Sequence, residues 1–428
     1  MSEQAEHVEK PIKRIVLAGG RPDTGNHGCT ALSMCATTGL LQRLSNVELT
    51  VFDLGVGMRD ESTSIDGINY RYRKWGAINS RKFYKKSAFW NMRISALLGL
   101  KGNAGALAIK ESDVVLDISS GDSFGDLYGD HRFYDDILPK LIAIENKRKL
   151  VLLPQTYGPY RKPKNKEIAK RIVKSSHHSW ARDEHSFEIL KDLLGGDFDP
   201  EFHHSGVDLA FLFPAFRPKG NDLTKWMQQK RLAGESIVGI NISGLLYGKP
   251  DYASSNYEFR ANYDTVINTV IEYLLKEPSN NLVLVSHVEG GGMHDRGVNE
   301  QIFAELNQKY PTRVSIVPRG MQASEVKHII ANLDWFCGTR MHSAIAGLAS
   351  CVPTVAIAYS LKTKGVFETC GQGGQVVDPR TTSTDQLYEG IVERYEQRSY
   401  CKSELEKSIP LIKQRANIQM DMIANCVS

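Results

Sequence analysis

The chain has 428 residues, 41% of them hydrophobic and 24% charged, with a net charge of +4. That length and composition allow two ordinary domains with full cores and exclude a disordered chain. Seven cysteines without a C-x-x-C pair argue against a disulfide scaffold and for reduced thiols in a cytoplasmic protein. The charged opening MSEQAEHVEKPIKR runs into too short an apolar stretch for a secretory signal.

In chain order, residues 15–20 (IVLAGG) predict a first buried strand, followed by the loop RPDTGNHGC, a helix over 30–44 and a second strand over 47–54. This opening has the form of a βαβ unit, although Gly19, Gly20, Gly25 and Gly28 do not make a dinucleotide fingerprint. Between Gly67 and Lys110 there are ten basic residues and no acidic one, interleaved with aromatics such as Tyr72, Trp75, Phe83 and Trp90. The remainder of the chain is therefore net negative. Such a stretch, read as an insertion of about 56–110, attracts anionic surfaces or else is a solvated face with its aromatics packed inward.

Strands resume at 114–118 and 150–153, ending in the turns SSGDSFGD and PQTYGPY. Residues 168–174 and 184–194 read as helices flanking a strand end at 179–182. Proline and glycine recur over 197–232, where periodicity lapses as in a linker. A second alternation then runs from Ile237: strand VGINIS, helix 263–275, strand LVLVS, helix 298–310, strand VSIVP, helix 323–331. Strands separated by helices predict parallel sheets with right-handed crossovers. The expected organisation is α/β, with two Rossmann-like domains facing a cleft: 1–215, 233–395 and a helical tail over 396–428 that packs back across both.

The chemistry concentrates in residues 329–365. A short strand, 334–337, leads through Gly338 and Thr339 to Arg340 and His342 at the mouth of the helix MHSAIAGLAS, which Pro353 ends. The charge-free run 341–361 reads as helix plus strand, since Gly347 and Pro353 divide it. Lys362 and Lys364 follow. Ligands of open α/β sheets lie at the carboxyl ends of strands, so these cations border one crevice and suit an anion, most simply a phosphate. An arginine offers bidentate capture and a histidine a proton near neutral pH. Arg182 ends another strand, and Asp183 beside it reads as a helix cap. Asn26 and Gly28, Asp122, Gln155 and Tyr157, Asn241, and His287 stand at further strand ends as cleft candidates. The pairs His177-His178 and His203-His204 lack partners at zinc spacing, so no metal is expected.

Taken together, GTRMHSAIAGLASCVPTVAIAYSLKTKG, ARDEHSFEIL, LPQTYGP, GVDLAF and GNHG resemble the polysaccharide pyruvyl transferase family. The chain departs from that pattern at Cys29 and at Ser120-Gly121-Asp122. The resemblance implies a twin Rossmann-like fold similar to GT-B glycosyltransferases. It also implies transfer of the enolpyruvyl carbons of phosphoenolpyruvate to two hydroxyls of a polysaccharide or lipid-linked saccharide, as a ketal, with release of phosphate. Phosphoenolpyruvate is then a co-substrate, and no cofactor is expected. The implied catalytic residues are His342 and Arg182, with Arg340, Lys362, Lys364, Gly338 and Thr339 on the donor, which the second domain holds, while the first holds the acceptor. The competing reading is a GT-B-type glycosyltransferase using a nucleotide sugar, for which no acidic ribose contact is evident. The basic stretch adds an expected peripheral contact of residues 68–93 with an anionic membrane, at the inner face of the plasma membrane, and no nucleic acid partner is expected.

Overall fold

The computed structural model describes residues 12–22, 24–78, 82, 84–290 and 294–427. The opening residues 1–11, Asp23 of the first loop, and Arg81 and Phe83 of the basic stretch lie outside these.

Two sheets carry the fold. The first has eight strands in the order β3-β4-β2-β1-β5-β6-β7-β8. They are β1 (Lys13–Ala18), β2 (Val47–Asp53), β3 (Met58–Ile65), β4 (Ile68–Gly76), β5 (Val114–Asp117), β6 (Lys149–Gln155), β7 (His178–Ala181) and β8 (His203–Ser205). The second has six, in the order β11-β10-β9-β12-β13-β14. These are β9 (Ser236–Asn241), β10 (Asn280–Leu284), β11 (Val314–Ile316), β12 (Trp335–Gly338), β13 (Thr354–Ile357) and β14 (Val376–Val377). Every pairing is parallel except β3 with β4. Strands such as β5 (VVLD) and β12 (WFCG) are buried along their whole length, as helices on both faces of a parallel sheet require. In each sheet the order reverses beside the first strand, next to β5 in one and β12 in the other, which is where α/β sheets open a crevice.

Three expectations change. The basic stretch is not an insertion outside the sheet over its first part, because β4 pairs with β2 and closes a hairpin with β3. Asp66 and Gly67, with φ of 50° and 82°, form the two-residue turn that such a hairpin favours. Tyr72 and Trp75 are buried, and Arg73 bonds Glu48 at 3.1 Å, so the cations here are largely spent on neighbouring carboxylates. The stretch 197–232 is not a bare linker either: it supplies the edge strand β8 and a helix, Asp222–Leu232, capped by Asn221. Finally, helices Phe89–Leu97, Ala104–Glu111, Asp130–Glu145, Pro250–Tyr257 and Leu361–Thr369 were not foreseen.

The tail forms two helices, Thr384–Glu396 and Arg398–Val427. The second, 30 residues long, packs against both halves. Gln419 exchanges two hydrogen bonds with the backbone of Val207, at 2.8 and 3.0 Å, and Asp421 pairs with Arg43 at 2.7 Å. Its Leu405, Ile409 and Met420 join one buried cluster with Leu17 and Leu32 of the first half and Leu348 and Phe367 of the second. Each such side chain contributes roughly 1.5–3 kcal/mol by leaving water, so the two halves share a core.

Candidate active site

At the crevice of the first sheet the chain after β5 runs through Ser119, Ser120 and Gly121 with φ of 48°, 49° and 81°. Left-handed backbone at non-glycine residues costs of order 1–3 kcal/mol and clusters at functional sites. Buried Asp117 holds this turn, accepting from the Ser119 amide at 3.0 Å and its hydroxyl at 2.9 Å. Lys140, fully buried, lies 2.8 Å from Asp117 and 3.0 Å from Asp136, which balances the charge beneath the turn.

In the second sheet the fully buried Asn241, at the end of β9, organises the opposite wall. It accepts from the Arg340 amide at 2.8 Å and the Ser343 hydroxyl at 3.0 Å, and donates to Val285 at 2.9 Å. These bonds fix the point where β12 turns into the helix Met341–Leu348. Asn241 is thus scaffold, as are Thr339, bonded to Tyr263 at 2.7 Å, and Gly338, which pairs within the sheet. The Arg340 guanidinium bonds the buried Asp295 through two nitrogens, at 3.0 and 2.8 Å. Burial opposes its charge, but Asp295 more than offsets this and raises its pKa. Arg340 borders the cleft with its charge already paired.

His342 is in the first turn of that helix and reaches the first half. A Cβ on Gly28 would stand 2.5 Å from its Nδ1, so the imidazole packs on the bare backbone of the helix His27–Arg43. Its Nε2 lies 3.7 Å from Asp208, which in turn pairs with Arg182 at 3.0 Å. Burial alone would raise the Asp208 carboxyl, but His342, Arg182 and the Ala210 amide together hold it at about 2. Arg182 itself is fully buried, its Nη2 3.4 Å from the Met341 sulfur. It was expected to touch substrate; it stands instead behind Asp208 and His342.

The two lysines separate cleanly. Lys362, 7% exposed, joins Asp122 and the Tyr128 hydroxyl of the first half, and Tyr128 donates to Asp122 at 2.9 Å. Burial pushes the Asp122 carboxyl up, but Lys362 and Arg182 outweigh it and keep it low, whereas burial and Asp122 push the Tyr128 phenol well up. Lys364 is half exposed beside Glu368, at 3.7 Å, and is not part of the cleft wall. Gln155 and Tyr157, expected at the cleft, are fully buried, Tyr157 packing against Phe124. Asn26 caps the helix His27–Arg43 through Gly28 and borders the cleft. His287 also lines it; burial, then His27, His342 and Arg340 beside it, push its pKa well below the usual histidine value.

Between these walls lies a cleft of about 830 Å³. One cation on its wall was missed in the sequence, Arg132 in the helix Asp130–Glu145. Its partners are hydroxyls, Ser123 at 3.2 and 3.0 Å and Ser120 at 3.4 Å. Among the described residues it makes no ion pair, while Arg340, Lys362 and Arg182 each face a carboxylate. A cation near a helix N-terminus opposes the helix dipole, so its position there suits an anionic ligand. Among the described residues no three or more His, Cys, Asp or Glu converge as metal ligands, and His178 and His204 form a stacked pair, 3.1 Å between ring nitrogens.

A family model described as polysaccharide pyruvyl transferase matches residues 26–360. The amylovoran biosynthesis protein AmsJ of Erwinia amylovora is 24% identical over 294 residues, 68% of each chain. Among solved structures, UDP-GlcNAc 2-epimerase from Neisseria meningitidis bound to UDP-GlcNAc has a TM-score of 0.57 and 12% identity, over 97% of this chain and 100% of that one. Anabaena Alr3699/HepE in complex with UDP-glucose has a TM-score of 0.54 and 12% identity, over 97% and 98%. These two likenesses show the GT-B-like fold. The family match runs from the Gly28 turn through the Arg340–His342 helix to the strand after it, and the chain belongs to the polysaccharide pyruvyl transferase family.

Proposed function

We propose that the cleft binds phosphoenolpyruvate and transfers its three-carbon unit to a saccharide of a polysaccharide or lipid-linked oligosaccharide. Two acceptor hydroxyls add to the central carbon, and the bond from that carbon to the phosphate oxygen breaks. One hydroxyl proton goes to the methylene carbon, which becomes methyl, and the other leaves with inorganic phosphate, so the products are a pyruvate ketal and phosphate.

The observation that carries this reading is Arg132, unpaired with any described carboxylate, on the same cleft as the His342–Asp208 pair. Arg132, with the Ser120 and Ser123 hydroxyls beside it, takes the donor's phosphate or carboxylate. Lys362 adds positive charge where phosphate departs, and its bonds to Asp122 and Tyr128 hold it across the two halves. His342 moves the proton, oriented by Asp208, with Arg182 balancing the buried carboxylate from behind. Removing a charge-stabilising donor of this kind costs about 100- to 1000-fold in rate.

The experiment is mass spectrometry of the host's surface glycans with the gene present and deleted. The reading expects a pyruvate ketal in the first sample and its loss in the second. An unchanged ketal content would overturn it.

A further inference from the structure

We infer that the helix Phe89–Leu97 and the turn after it form a docking face for an anionic phospholipid bilayer. This goes beyond the donor chemistry and does not depend on it. It also moves the membrane contact expected for residues 68–93 away from β4, whose residues are built into the sheet, to the stretch that ends at Lys101.

On this helix, FWNMRISAL, Phe89, Met92, Ser95 and Ala96 are buried against the body of the first half. The opposite face is not polar. Trp90, Ile94 and Leu97 are 46%, 48% and 56% exposed, and Leu98 and Leu100 in the turn are 68% and 51% exposed. Positions 90, 94 and 97 share one helix face. Isolated exposed apolar residues are ordinary, but a contiguous set on one element marks an interaction site.

The charge around this patch selects the occupant. Lys85 and Lys86 precede the helix and Lys101 follows it, all exposed. Asn103 donates to the Lys86 carbonyl and to Asn91, each at 2.8 Å, so the chain after the turn returns to the start of the helix and gathers these lysines. No acidic residue occurs between Gly67 and Lys110. A second copy of this chain would bring like charges together. A nucleic acid would use the lysines and leave the leucines in water. An anionic bilayer uses both: headgroups meet the lysines, and the apolar side chains enter the acyl boundary with Trp90 at the interface. Nine residues rise about 14 Å, far short of a bilayer, so the helix lies in the surface plane.

The helix is also set rigidly relative to the cleft. Arg93 lies 5.2 Å over the Trp90 ring and bonds Glu145 at 2.9 Å. Glu145 ends the 16-residue helix whose first turn carries Arg132. At 1.5 Å per residue that helix spans about 24 Å. Docking therefore holds the cleft at a fixed reach from the lipid surface, where a saccharide on a lipid carrier is presented.

The test is co-sedimentation of the full chain with phosphatidylcholine vesicles, with and without phosphatidylglycerol. Leu97→Glu with Leu98→Glu removes the apolar contact, and Lys85→Glu with Lys86→Glu removes the charge; all four positions are exposed, so the fold tolerates both. The wild type is expected to bind phosphatidylglycerol vesicles at least about 10-fold more tightly than neutral ones, less so in high salt. Each pair is expected to lower that binding at least about 10-fold, from roughly fivefold per lysine near an anionic surface. Neither pair touches the cleft, and no donor is needed for the measurement, so the result stands apart from the pyruvyl transfer reading. Absent binding, binding unchanged in the leucine pair, or a dimer in gel filtration that the leucine pair dissociates would each overturn the proposal.

Discussion

The imidazole of His342 and the carboxylate of Asp208 lie 3.7 Å apart across the boundary between the two halves. His342 opens a helix of the second sheet, and Asp208 follows the last strand of the first, so their meeting depends on how the halves pack. Replacing Asp208 with Asn keeps the volume and removes the charge that orients the ring. Turnover is expected to fall about 100-fold with little change in the KM for phosphoenolpyruvate, and His342→Ala to lose about 100- to 10,000-fold. Phosphate release with the host glycan as acceptor measures both.

Arg182→Ala acts differently from a lost substrate contact. It leaves Asp208 buried without its partner, a change worth about 3–5 kcal/mol. Thermal unfolding is expected to shift markedly downward in this variant while Arg132→Ala unfolds as the wild type does.

Arg132, on the cleft wall, and Lys364, outside it, are expected to separate. Arg132→Ala lowers kcat/KM for phosphoenolpyruvate about 100- to 1000-fold. Lys364→Ala changes it less than about twofold, since an exposed lysine beside a glutamate contributes little. Steady-state kinetics on the two variants checks this, and comparable losses in both would contradict the assignment.

Gly28→Ala probes the packing of the His342 ring, to which we assign the proton transfer. A methyl there meets His342 at 2.5 Å, and the ring must move. The expected outcome is a fall in turnover of about 10-fold or more, by displacement of a positioned group, with the circular dichroism spectrum unchanged.

Asp208 also sets a pH dependence. Its carboxyl is held at about 2 in the fold against an ordinary value of 3.8. A depressed carboxyl stabilises the fold at pH values above its unfolded pKa, and that stability is lost as pH falls from about 4 toward about 2. Its size is about 2 kcal/mol. Denaturant unfolding of the wild type and Asp208→Asn from pH 2 to 7 is expected to show the wild type's advantage growing with pH up to about 4 and then levelling.

Much of the fold was legible because buried parallel strands are continuous apolar runs, as in VVLD, and because their helices have ordinary length. The hairpin over 58–76 was also written in the sequence, in the Asp66-Gly67 turn and the alternation of Tyr70-Arg71-Tyr72-Arg73 after it, but the density of positive charge around it read as a surface insertion. At the site, the strand ends identified His342, Lys362 and Asp122 as neighbours of a crevice. What they did not convey was pairing: nothing local says that Arg340 is answered by Asp295, 45 residues earlier, or that Arg182 is sealed behind Asp208. Gln155 and Tyr157 stand at a strand end yet are fully buried, Tyr157 against Phe124. Arg132 carried one readable sign, a cation in the opening turn of a helix where a carboxylate is favoured.

The claim that this cleft is a phosphoenolpyruvate site is tested most directly by calorimetric titration of the wild type and Arg132→Ala with phosphoenolpyruvate and, separately, with UDP-glucose. The account predicts that phosphoenolpyruvate binds the wild type, that Arg132→Ala loses at least about 100-fold of that affinity, and that UDP-glucose gives no comparable heat. Saturable binding of UDP-glucose with none of phosphoenolpyruvate would contradict it.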